Sequence, residues 1–74
     1  MEKMTSEQML KMLKKETGTD FDHMFLKHMI HHHKSGIQMA RLATKKSTRS
    51  KIQKMAQKMV DKQSEEIEKM REML

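Results

Sequence analysis

Along the chain, apolar residues recur at intervals of three and four in three separate runs, and each run reads as one face of a helix. The first covers residues 5–16. Thr5 and Ser6 are candidate caps, Gln8 stands three residues after Thr5 as a capping box requires, and Met9, Leu10, Met12 and Leu13 make the apolar face. This helix is expected to end at Gly18. The second run covers about 20–45, with Thr19 or Asp20 as its cap and an apolar stripe through Phe21, Phe25, Met29, Ile37, Ala40 and Ala43. Gly36 interrupts it at a cost of roughly 1 kcal/mol against alanine, which points to close approach of a neighbouring helix or a ligand. The stretch KKSTRSK breaks the pattern and offers Ser47 or Thr48 as the cap of a third helix, 48–73, bearing Ile52, Ala56, Met59, Val60, Ile67, Met70 and, just beyond, Leu74.

A break of only a few residues makes helices two and three an antiparallel hairpin. The expected register pairs Phe25 with Met70, Met39 with Ala56 and His32 with Gln63. Two amphipathic helices leave an open apolar trough. The first helix closes it in part and a second copy of the chain would close it fully, so a homodimer is expected.

Composition narrows the class. With 74 residues, no proline, two glycines and two phenylalanines, the chain reads as one small all-α domain, residues 1–74, and a β-rich fold is not expected. A core this small calls for a metal, a partner chain or both. Eleven methionines take the place of the usual core formers. A thioether is both an adaptable hydrophobe and a soft, uncharged ligand for Cu(I) or Ag(I), so each methionine has a packing reading and a ligating one. There is no cysteine, which leaves methionine sulfur and histidine nitrogen to hold any soft metal. Thioethers need no deprotonation and form no disulfides, which suits metal handling outside the cytosol.

The net charge is +6, and the basic excess is densest from Arg41 to Lys58. These side chains fall on faces left over from the apolar stripes, and almost no aromatic surface exists for stacking bases, so no nucleic-acid partner is expected. No segment has the length of a membrane span or a signal peptide.

The chemistry concentrates in DHMFLKHMIHHHKSGIQMA, residues 22–40, with five histidines and three methionines on one helix. His32 and His33 flank the apolar stripe, His28 borders the same face one turn earlier, and His31 and His23 point away on either side. Spacings by which one helix grips a metal recur: Met24 with His28, His28 with His32, Met29 with His33, and Met29 with His32. Met39, Met55 and Met59 are candidates to complete a His/Met site, Met55 and Met59 being themselves four apart. Gln63 and Glu66 would orient the imidazoles by accepting their other N–H. In the plainer account, His32 and His33 are core histidines satisfied by Gln63 and Glu66.

Asp22, Phe25, Leu26, Met29, Ile30, His32, His33, Ile37, Met39 and Ala40, followed by Ala56, Gln63, Glu66, Ile67, Met70 and Leu74, resemble family 305 of the domains of unknown function, a group of small bacterial helical proteins. The resemblance implies a ferritin-like four-helix bundle, an extracytoplasmic location in the periplasm or cell envelope, and copper or silver binding with a part in metal resistance. The family's shared positions fall on Met29, His32, His33, Met39, Gln63 and Glu66, while His23, His28 and His31 are additional. Three helices instead of four leave the last position to a trimmed domain or to another chain.

The expected role is therefore binding, not turnover: a Cu(I) protein, with Ag(I) as mimic, for copper sequestration, transfer or resistance. The metal set is Met24, His28, Met29, His32, His33, Met39, Met55 and Met59. A di-iron enzyme would need inward Glu-x-x-His motifs, and the chain contains none. Two alternatives stay open. One is a Met-rich helical interaction module whose His pair is structural. The other is Zn(II) or Ni(II) on the histidines alone, indifferent to loss of Met29 or Met39.

Overall fold

The computed structural model describes residues 5–74. They form α1 (Ser6–Lys15), α2 (Gly18–Lys46) and α3 (Ser50–Met73), with no strand among them. The all-α reading and all three elements hold, with boundaries within two residues of those expected.

The capping box at α1 forms as read. The Gln8 N–H donates to Thr5 Oγ1 at 3.2 Å and the Thr5 N–H to Gln8 Oε1 at 2.8 Å, satisfying two donors that a helix start would otherwise leave free. Met9 and Leu13 are half-buried, whereas Leu10 and Met12 stay exposed. No residue of α1 is fully buried. Ten residues fall short of what holds an isolated helix together in water, so α1 depends on the helix it leans against.

The first junction differs from expectation. α1 ends at Lys15, and Gly18, expected as its terminus, is the first residue of α2 with φ of 60°. A left-handed backbone there favours glycine. The helix thus starts ahead of Thr19 and Asp20, so neither caps it. The N-cap is Thr17, without a side-chain cap bond.

Along α2 the buried residues are Leu26, Ile30, Ile37 and Ala40, which meet Ala56 and Ile67 of α3 in the core. Ile30, Ile37 and Ile67 cluster together, backed by Val60 and Met70. The face turned inward is therefore rotated from the stripe expected through Phe21 and Phe25. Those two rings stack on each other at 6.1 Å and stay partly exposed, at 36% and 42%. Phe25 and Leu26 share a cleft with Met73, in the last turn of α3, so little of α3 remains to cover Phe21.

The hairpin turn is built by Ser47. Its N–H donates to Ala43 O, its Oγ accepts from the Arg49 N–H at 3.2 Å, and its carbonyl accepts from Gln53 Nε2 at 2.6 Å. Ser47 thus closes α2 instead of capping α3, whose N-cap is Arg49. The register moves with it. Gln63 lies against Gly36, one turn beyond the expected His32 partner.

Candidate metal centre

His33 lies on the α3 side of α2 with a half-buried ring. Its Nδ1–H donates to Met29 O at 2.9 Å, and Nε2 meets Glu66 Oε2 at 2.5 Å. A carbonyl only accepts, so Nδ1 carries hydrogen. The second contact is then bridged by one further proton, held by imidazole or carboxyl. Both ring nitrogens have protein partners, so His33 would have to give one up to bind an ion. Glu66 is the side-chain partner of this imidazole. Gln63 does not reach His32 in the same way: its Oε1 is buried without a hydrogen-bond partner and sits where a Cβ on residue 36 would come within 2.7 Å. Close approach at Gly36 is therefore by a glutamine side chain.

His28 presents the opposite case. Its ring is half-buried, and Nε2 is shielded from solvent with no hydrogen-bond partner. It borders two clefts between α1 and α2. The inner one, about 170 Å³, is lined by Met9, Leu10, Leu13, Met29 and His32 together with His28. The outer one, about 540 Å³, brings Met12, His23 and Met24 to the same histidine, with Glu16, Asp20 and Lys27 at its margin.

The expected set therefore divides. Met24, His28, Met29 and His32 come together along the α1 side of α2, His32 being solvent-exposed and edge-on to His33 at 6.4 Å between centroids. His33 belongs to the α3 side. Met39, Met55 and Met59 line neither cleft that contains His28 and are 72%, 57% and 42% exposed. Met55 and Met59 lie in an open groove among Lys51, Lys54, Lys58 and Lys62. Among the described residues, no group of three or more His, Asp and Glu is placed to hold a metal.

Three residues outside the expected set line the clefts at His28. By spacing, Met9 and Met12 are ordinary members of an apolar helix face, and their place beside His28 depends on how α1 folds back, which spacing within α1 does not report. His23 lies away from the second helix's stripe and lines the cleft under α1.

The model of one family, described as Domain of unknown function (DUF305), matches residues 1–74. No curated protein and no solved structure matches the chain significantly.

Proposed function

We propose, since the chain belongs to the DUF305 family and that description assigns no activity, that it binds a soft monovalent metal ion, Cu(I) with Ag(I) as mimic, at His28. The observation carrying this reading is the solvent-shielded, unpartnered Nε2 of His28, a residue that shares one cleft with Met24 and a second with Met29. A buried polar nitrogen without a partner is costly. A neutral imidazole offers a lone pair, and sulfur is the donor type that prefers Cu(I) and Ag(I) over harder ions. His32 is solvent-exposed and lines the inner cleft with His28 and Met29. His33 serves the protein differently, clamping α2 to α3 through Glu66. Sequestration or transfer outside the cytosol fits a ligand set free of thiols.

The test is an anaerobic Cu(I) titration against a chromophoric chelator, with Zn(II) as control. His28→Ala and Met29→Leu should weaken retention by about tenfold or more, the scale expected when a ligand or its close support is lost, while His33→Ala leaves it nearly unchanged. Equal retention by all variants would remove the site.

A second reading concerns the exposed apolar stripes. Phe25 and Met39 are exposed on α2, and Met55, Met59 and Met73 are exposed on α3. On α3, Lys51, Lys54 and Lys58 precede Asp61, Glu65, Glu66, Glu68 and Glu72, with Lys62, Lys69 and Arg71 as exceptions, Arg71 being paired with its own Glu68 at 3.2 Å. Two copies packed with their α3 helices antiparallel would set lysines of one against carboxylates of the other and complete a ferritin-like four-helix bundle. Light scattering at increasing salt tests this, with dissociation to monomer expected as the charges are screened.

A further inference from the structure

We infer that α1 is a metal-responsive clasp, in which Met9 and Met12 bring thioether sulfur to soft-metal ions at His28 and a bound ion fixes α1 against α2. The inference rests on the soft-metal reading of His28 and adds ligands from a second helix.

The placement is the first argument. Met9 and Met12 are three residues apart and so share a side of α1. One enters the inner cleft with Met29 and His32, the other the outer cleft with Met24 and His23, and His28 borders both. On α2, Met24 and Met29 are divided between the same two clefts. Each cleft thus joins His28 to one methionine of α1 and one of α2.

The second argument is how weakly α1 is otherwise held. Among the described residues no side-chain hydrogen bond or ion pair joins α1 to α2. None of its residues is fully buried. Its link to α2 passes through the extended Glu16 and Thr17 to Gly18 at φ 60°. The capping box starts the helix, but a ten-residue helix held only by half-buried Met9 and Leu13 has a small free energy of docking. A metal–sulfur bond across the interface would be its strongest attachment. The bond needs no proton released from the thioether, so the clasp would respond to the ion itself.

Hydrogen exchange of α1 amides tests the proposal on the whole chain, with and without Cu(I) under anaerobic conditions. If the ion is held only in the docked state, exchange in α1 should slow roughly tenfold at a free ion concentration ten times Kd. The volume-conserving pair Met9→Leu with Met12→Leu keeps the packing. It should lose this slowing and retain Cu(I) less well, whereas Met55→Leu with Met59→Leu should behave as the parent. If Cu(I) is bound and released by His28→Ala, yet α1 exchanges equally fast with and without it, or the Met9 and Met12 pair behaves as the parent, the clasp is refuted and the His28 site stands. Failure of the parent to bind Cu(I) would overturn both.

Discussion

The contact between His33 and Glu66 is the one polar side-chain tie found between α2 and α3 among the described residues, and its contribution can be bounded before it is measured. Hydrogen bonds involving charged groups contribute about 1.5–3 kcal/mol, and exposed ion pairs about 0.2–1 kcal/mol. The His33 side chain is 13% exposed and that of Glu66 is 40% exposed, so solvent screens the carboxylate and the coupling belongs near the lower range. A double-mutant cycle of His33→Ala and Glu66→Ala should give a coupling of about 1 kcal/mol. Glu66→Gln separates charge from geometry. With Nδ1–H committed to Met29 O, the Nε2 lone pair can accept from the glutamine amide, so this variant should lose less than about half of the coupling. Urea unfolding followed by circular dichroism reads the cycle, with equal m-values for all variants. In a domain of this size, 1 kcal/mol corresponds to roughly 4–8 °C in Tm. A coupling below about 0.3 kcal/mol, the level at which independent sites add, would refute the assignment of His33 as a clamp.

Three further outcomes follow from the packing. Ile30→Ala should cost about 2–4 kcal/mol as a buried deletion, and Phe25→Ala less than about 1 kcal/mol as a surface change; thermal unfolding that reverses this order would mean the inward face of α2 is misassigned. Gly36→Ala in a Gln63→Ala background should stabilise by about 1 kcal/mol through helix propensity, with a smaller gain when Gln63 is present, because its amide must move. Thr5→Ala should cost α1 about 1 kcal/mol of helix stability, raising amide exchange in α1 while leaving the unfolding of the α2–α3 hairpin within about 0.5 kcal/mol.

Much of this architecture is legible in the chain because helices are local. The capping box of Thr5 and Gln8, the long second run and the break near Ser47 each depend on residues within a few positions of one another. What spacing does not settle is the phase of a helix whose apolar residues cover a wide arc. On α2 either Phe21 and Phe25 or Leu26 and Ile30 could have faced inward, and the choice depends on how far α3 extends, a property of the turn. The same dependence moved Gln63 by one turn, since Ser47 serves the end of α2 and α3 begins only at Ser50. His33 was legible as a histidine with a carboxylate partner. The separation of His28 from it, and the arrival of Met9 and Met12, required the position of α1, for which the extended Glu16 and Thr17 and Gly18 at φ 60° leave no periodic signal.

The proposed metal donor is Nε2 of His28 and neither nitrogen of His33. Long-range ¹H–¹⁵N correlation of the imidazoles, recorded as Ag(I) is added, observes those atoms directly. Nε2 of His28 should shift and saturate with the ion while the His33 nitrogens keep their signals. Movement of the His33 nitrogens with His28 unchanged, or no response from any imidazole, would contradict it.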